Sequence, residues 1–162
     1  MRYKIKHARN KYKIYDETNG LISIITKKAF GSDALIVDGA DQTTVLCVMH
    51  RDGEITIESN GKKSVQCSVR YQIDGKDKLS AYWRPAMMES IFITTSYGIL
   101  MIHQARKRSF EVFLNDHVIG QITHTMSMDK EMVVDKDLPP WFIGMIVAIA
   151  YFMFHDDDIE IV

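Results

Sequence analysis

Trp141-Phe142-Ile143-Gly144-Met145-Ile146-Val147-Ala148-Ile149-Ala150-Tyr151-Phe152-Met153-Phe154 is the stretch that decides how the rest of the chain folds. No charge interrupts it. Leu138-Pro139-Pro140 precedes it and His155-Asp156-Asp157-Asp158 follows. Proline suits the first turn of a helix, whose N–H groups have no partner within the helix, so the pattern predicts a helix over about 139–154. Asp137 lies just upstream, where a carboxylate favours the helix start. Such a helix is roughly 21 Å long at about 1.5 Å per residue. A bilayer core is about 30 Å thick, so the segment is short for a span. Aspartates flank both ends, and no basic cluster lies close to either to set an orientation. A helix that is apolar all round is one that is buried all round. Gly144 and Ala148 give it one narrow side for close backbone approach, a spacing that membrane helices also use. A core helix is therefore the expectation. A buried strand, and a helix facing a membrane or a partner, are the alternatives.

The chain of 162 residues is long enough for one domain with a real core. Its net charge of −1 and ordinary apolar content exclude disorder and argue against bulk attraction to nucleic acid, so no specific nucleic-acid binding is expected. Cys47 and Cys67 do not make a disulfide framework and read as small buried hydrophobes. Met1-Arg2-Tyr3-Lys4-Ile5-Lys6-His7 carries no apolar signal region, so a cytoplasmic location is expected, at most peripheral to a membrane.

Everything before the oily run reads as short strands. Tyr3, Ile5 and His7 alternate with Arg2, Lys4 and Lys6, and Tyr12 and Ile14 alternate with Lys11 and Lys13, a period of two. Asn19-Gly20, Asp38-Gly39, Asp52-Gly53, Asn60-Gly61, Asp74-Gly75 and Asn115-Asp116 are turn signals. Between them lie strands at Leu21 to Thr26, Ala34 to Val37, Thr43 to His50, Ile55 to Ile57 and Ser64 to Ile73. Further strands are expected at Leu79 to Trp83, Ile91 to Thr95, Ile99 to His103, Ser109 to Leu114, Val118 to Thr123 and Met132 to Val134, with a last one at Ile159 to Val162. Turns recurring about every eight to twelve residues mark an antiparallel sandwich or barrel. Loops this short join antiparallel neighbours. No linker divides the chain, so residues 1–162 form a single domain. A many-stranded sheet wrapped around one apolar helix hides both, and closure removes exposed edges.

This pattern resembles the tubby C-terminal-like superfamily, which includes the tubby domain, the phospholipid scramblases and the LURP-one-related proteins. The likeness is carried by Tyr12-Lys13-Ile14-Tyr15-Asp16 with Asn19-Gly20, by the strand–turn–strand from Ala34 to Ile57, by Phe110 to Gly120 and by Trp141 to Phe154. It is architectural and covers nearly the whole chain. It implies a mainly β fold, an antiparallel closed β-barrel of about twelve strands around a buried C-terminal helix. No tubby phosphoinositide-binding residue and no scramblase-type extension has a counterpart here. The LURP-one-like members match best in size, and fold does not carry function across such a group.

Two basic groups are candidate sites. Arg106-Lys107-Arg108, with His103 just before, could hold a phosphate or lipid headgroup, because guanidinium forks suit phosphate oxygens. The alternative is a solvated turn. Lys4, Lys6, Lys11 and Lys13, with Arg2 and Arg9, precede the first acid at Asp16. On an edge strand they could meet an anionic membrane or nucleic acid, or they could simply guard that edge. Lys27-Lys28 and Lys62-Lys63 read as turn charges. Asp156 to Asp158 lack the spacing of a calcium loop. Asp129, Glu131, Asp135 and Asp137 read as an exposed strand face. The scattered histidines offer no zinc spacing, and no nucleophile elbow or phosphate-cradling loop occurs. The expectation is a non-catalytic binding module without cofactor or metal, its partner an anionic membrane surface or a phosphate-bearing ligand. A structural or protein-interaction domain is the alternative, and an enzyme on an all-β scaffold comes last.

Overall fold

The structure is a computed structural model and describes residues 1–8, 11–27, 34–49, 55–59, 62–65, 70–72, 90–105, 109–124 and 129–154. The first half of the chain supplies β1 (Arg2–Ala8), β2 (Lys11–Tyr15), β3 (Leu21–Lys27), β4 (Ala34–Gly39), β5 (Thr44–Met49), β6 (Ile55–Ser59) and β7 (Lys62–Val65). The second half supplies β8 (Arg70–Gln72), β9 (Ser90–Thr95), β10 (Gly98–Ala105), β11 (Ser109–Leu114), β12 (His117–His124), β13 (Lys130–Val134) and the helix α1 (Pro140–Phe154). The protein is thus mainly β, with its C-terminal helix packed on one antiparallel sheet.

The thirteen strands run in the order β7-β6-β5-β4-β3-β2-β1-β13-β12-β11-β10-β9-β8. Two meanders, one from each half, are joined where the first strand pairs with the last. That seam aligns Tyr3 with Met132 and Ile5 with Lys130. The N-terminal ammonium of Met1 donates to the Val134 carbonyl at 2.6 Å and fastens the seam's end.

Alternation places Tyr3, Ile5, Ile14, Ile25, Leu35, Val37, Val45, Cys47, Ile55 and Ile57 inward from the first meander. Ile91, Ile93, Leu100, Ile102, Phe110, Val112, Leu114, Ile122, Met132 and Val134 do the same from the second. These side chains surround α1, which touches β3, β4 and β5 in one meander and β10 in the other. Residues Phe142 to Ala150 are all buried. Each large apolar side chain removed from water contributes about 1.5–3 kcal/mol, so the helix belongs inside. Among the described residues no helix is long and apolar enough to cross a membrane.

The helix begins as its prolines require. The N–H groups of Phe142 and Ile143 both donate to the Pro139 carbonyl, at 2.9 and 3.2 Å. Pro139 is therefore the cap and Pro140 the first helical residue, one later than the sequence pattern suggests. Gly144 is where α1 lies closest to the sheet: a Cβ there would collide with Ser23 Oγ and Val37 Cγ1. At Gly39 the end of β4 meets the backbone of Trp141. Gly39 thus serves a close approach, and the left-handed residue of the β4–β5 turn is Gln42, with φ 66°. The β2–β3 turn has the same form, with Asn19 at φ 62°. Asn115 and Asp116, at φ 50° and 63°, make the mirror-image turn that suits a twisted hairpin.

One expected strand is described only in part. The strand expected over Ser64 to Ile73 is described as two pieces, β7 and β8, on opposite edges of the sheet. Every neighbouring pair is antiparallel, so across an odd number of strands these edges point the same way. Five peptide steps separate Val65 from Arg70, a reach of at most about 18 Å. A flat sheet of this size would be about 58 Å wide at about 4.8 Å per spacing. The sheet is therefore rolled, with α1 in its hollow. The strands expected at Leu79 to Trp83 and at Ile159 to Val162 lie outside the described residues, as does Cys67. Cys47 is a free buried thiol.

Candidate functional site

The seam strand β1 and its neighbour β2 carry the basic residues singled out near the N-terminus. Tyr3 and Ile5 point inward, so Arg2, Lys4 and Lys6 point outward and are exposed. Register places Lys6 directly opposite Lys13, Lys4 opposite Tyr15 and Lys11 opposite Ala8. The outer wall of two adjacent strands thus gathers Lys4, Lys6, Lys11 and Lys13. None of the four forms an ion pair among the described residues. Like charges directly across a strand pair are destabilising, so the opposition of Lys6 and Lys13 carries a cost. The Lys6 ammonium lies 5.6 Å from the centre of the Tyr15 ring, an attraction that leaves its charge facing water.

Arg2 belongs to a different arrangement. Its Nε lies 2.8 Å from Glu131 Oε1, and its backbone N–H donates to Glu17 at 2.7 Å. Glu131 is on the outer wall of β13, as the strand pattern suggests, whereas Asp135 and Asp137 are exposed in the loop leading to α1. Arg106, Lys107 and Arg108 lie outside the described residues, as do Arg9, Lys28 and Asp156 to Asp158. His103 accompanies a buried hydroxyl: Ser90 Oγ and His103 Nδ1 are 2.8 Å apart. Among the described residues no group of three or more His, Cys, Asp or Glu is placed to hold a metal ion.

The turn beside the lysine wall is held by Asp16. Its Oδ1 accepts from the Thr18 hydroxyl at 2.7 Å, and from the N–H groups of Thr18 and Gly20, each at 2.8 Å. The Thr18 hydroxyl first, then the Gly20 N–H, hold the Asp16 carboxyl below the usual carboxylate range. Tyr3 shows the opposite effect. Burial, then Asp137, Asp16 and Glu17, push its phenol above the ordinary value.

Two further features emerge only from strand pairing. The first is the outer wall of β9 to β12. Phe92, Met101, Phe113 and Val118 form one row across four strands, beside Ile99. Ile99 and Val118 are 53 and 57% exposed. No lysine or arginine occurs in these four strands, and Glu111 is their one acid. The second is the distribution of charge along the helix direction. Where α1 begins, the described turns and strand ends carry Asp16, Glu17, Asp38, Asp41, Asp116, Asp135 and Asp137, with Arg2, Lys62 and Lys136 among them. Among the described residues, Lys6, Lys11, Lys13, Lys27, Asp129 and Lys130 lie toward the end where α1 finishes. Ring contacts tie each group to its end: Tyr97 packs on Phe142 at 5.0 Å and Tyr12 on Tyr151 at 5.3 Å.

Between the later turns of α1 and the seam lies a crevice of about 20 Å³, lined by Ile5, Tyr12, Phe110, Ile122, Lys130 and Tyr151 among others. That is room for about one water molecule. Comparison with known protein families, with curated proteins and with solved structures finds no match.

Proposed function

We propose that the sheet closes into a barrel around α1, and that the domain is a non-catalytic binding module of the tubby and LURP-one type that docks on anionic lipid through its lysine wall. Closure is supported by β7 and β8. They point the same way and are four residues apart. Parallel neighbours need a crossover of about a dozen residues. Two such pieces therefore serve as the two ends of one strand, pairing first with β6 and then with β9. Counted so, the barrel has twelve strands. Slow amide exchange along both β7 and β8 supports closure, and the fast exchange of an exposed sheet edge overturns it.

The lipid reading is carried by one observation: Lys6 and Lys13 face each other on the outer wall, and neither forms an ion pair among the described residues. A negatively charged surface relieves that repulsion and engages Lys4 and Lys11 as well. Each lysine close to such a surface is worth about 1 kcal/mol at moderate salt. In this reading the protein is peripheral to the membrane, with no covalent chemistry to perform. Flotation with phosphatidylcholine vesicles, with and without phosphatidylserine, tests it. Binding only to acidic vesicles, weakened by salt and by Lys6→Glu with Lys13→Glu, supports the proposal. Equal recovery with neutral vesicles overturns it. Inorganic phosphate that competes at low concentration transfers the site to a soluble phosphate-bearing ligand.

The outer wall of β9 to β12, which carries no lysine or arginine and Glu111 as its one acid, favours a second reading, an interaction domain whose partner is a second copy of the chain. Interface cores are depleted of charge and rich in aromatic residues and Met, as this row is. Two such walls meet without burying lysine. A dimer in sedimentation that dissociates with Ile99→Lys supports this reading, and a monomer at high concentration removes it.

A further inference from the structure

We propose that two copies of the chain pack through the outer walls of β9 to β12 on a two-fold axis that runs along the strands, with His103 of each copy against the partner's Glu111. This rests on the second reading, that the wall meets a second copy, and adds the register in which it does so. Beside the apolar row of Phe92, Met101, Phe113 and Val118 runs a polar one. Strand pairing sets Ser90 opposite His103, His103 opposite Glu111 and Glu111 opposite Gln121, so both rows cross the same four strands in the same order. Their chain neighbours Ile91, Ile102, Val112 and Ile122 are buried inward, so the polar row lies on the outer wall. Ser90 is itself covered, and its Oγ lies 2.8 Å from His103 Nδ1. That contact steadies the ring and leaves Nε2 to meet another group. Glu111 forms no ion pair among the described residues.

A two-fold contact is self-complementary, so what one copy presents the other must accept. Sheets packed face to face keep their strands within about 30° of each other. A two-fold along the strands, passing between β10 and β11, reverses the strand order across the contact and leaves each row facing the same row of the partner. Met101 then meets the partner's Phe113, Phe92 the partner's Val118, and His103 the partner's Glu111, each contact made twice. A two-fold across the strands sets every strand against its own copy. Glu111 then meets β11 of the partner and never His103. Size makes this difference count. Four strands at about 4.8 Å and six residues at about 3.4 Å make a wall of about 19 by 20 Å, so two walls cover roughly 800 Å². Stable complexes bury about 1,200 Å² or more, so this dimer is a weak one that forms at high concentration. A contact that small does not carry a buried carboxylate without a partner. Of the two axes, the one along the strands gives Glu111 a partner. The lysine wall on β1 and β2 lies two and three strands beyond β12, outside the contact.

The register is read by complementation. His103→Glu gives a wall with two acids, and Glu111→Lys gives a wall with none. In sedimentation equilibrium each variant alone should dimerise about tenfold or more weakly than wild type. An equimolar mixture should recover association, because the acid introduced at 103 meets the lysine introduced at 111. Circular dichroism establishes that each variant is folded. Cross-linking reads the same register without altering charge. Phe92→Cys and Val118→Cys proteins, each in a Cys67→Ser background with Cys47 buried, are treated with a short bis-maleimide. Within one wall the two positions are three strands, about 14 Å, apart. The expected result is a cross-linked pair in the mixture and little from either protein alone. Charge variants that dimerise alone as wild type does, a mixture that does not associate, or cross-links as abundant in each protein alone as in the mixture overturn the register. If Ile99→Lys still dissociates the wild-type dimer, the second-copy reading survives that result. A wild-type chain that stays monomeric at high concentration overturns both.

Discussion

The outer walls of β1–β2 and of β9–β12 belong to the same sheet and turn the same kind of residue inward, yet they share almost nothing outside. Inside, Ile5 and Ile14 on one wall and Ile93, Leu100 and Val112 on the other are fully buried against the helix. Outside, one wall holds four lysines that form no ion pair among the described residues, and the other holds Phe92, Met101, Phe113 and Val118. The difference teaches that α1 constrains only one face of each strand. The opposite face is free of that demand, so its chemistry is where this protein's function is to be sought.

The comparison is broken most severely from the inside. Ala148 is fully buried, and Ala148→Arg places a charge where no partner exists. The expected loss is about 3–5 kcal/mol, enough to unfold most of the protein and abolish both walls together. Loss of the far-UV β signal and of a cooperative melt checks this. A helix that instead lies outside the sheet would tolerate the change. Gly144→Val is milder. A side chain at 144 collides with Ser23 and Val37, and overpacking of this kind costs about 1–3 kcal/mol by urea denaturation. Gly144→Ala should fall at the lower end of that range.

Acid separates the lysine wall's neighbouring turn from the rest. The Asp16 carboxyl has a lowered folded-state pKa, so the folded protein binds fewer protons there than the unfolded chain. Its contribution is complete above the ordinary Asp value of about 3.9 and is lost as pH falls through the lower folded value. Wild type should therefore lose more stability than Asp16→Ala between neutral pH and about pH 3, measured by urea midpoints. The alkaline counterpart is Tyr3. Its raised pKa gives stability that is full below about 10 and lost as pH rises through the higher folded value, a limb that Tyr3→Phe should delete.

The smallest effect sharpens the contrast between the walls. Lys13→Thr removes one partner of the Lys6–Lys13 pair and should stabilise the free protein by a few tenths of a kcal/mol while weakening vesicle binding. The same replacement logic on the other wall, Ile99→Thr, should leave vesicle binding unchanged. A Lys13→Thr protein that is no more stable at low salt would mean that the lysines are already relieved within the fold.

Much of this was legible in the residues. Strands β1 to β6 and β9 to β13 follow from alternation and turn chemistry, because burial against one helix enforces a strict period of two. The helix follows from an uncharged run opened by two prolines. Gly144 could be identified as a point of close approach, though not its neighbours Ser23 and Val37. The basic group at Lys4 to Lys13 was visible as a charge excess, but the opposition of Lys6 and Lys13 depends on hairpin register. The apolar wall of β9 to β12 was missed. Its signal was present, since Phe92, Ile99, Met101 and Phe113 all occupy positions alternating with buried residues. A run such as Ile99-Leu100-Met101-Ile102 is apolar at both parities, however, and reads as wholly buried.

By itself, the sequence determined that the chain forms many short antiparallel strands and one helix that must be hidden, because period, turn residues and hydropathy are local properties. Only the tertiary structure decided which lysines stand opposite each other and which apolar residues remain in water. Those are facts of register and direction. They depend on how strands far apart in the chain are aligned around α1, and composition and net charge carry no trace of that alignment.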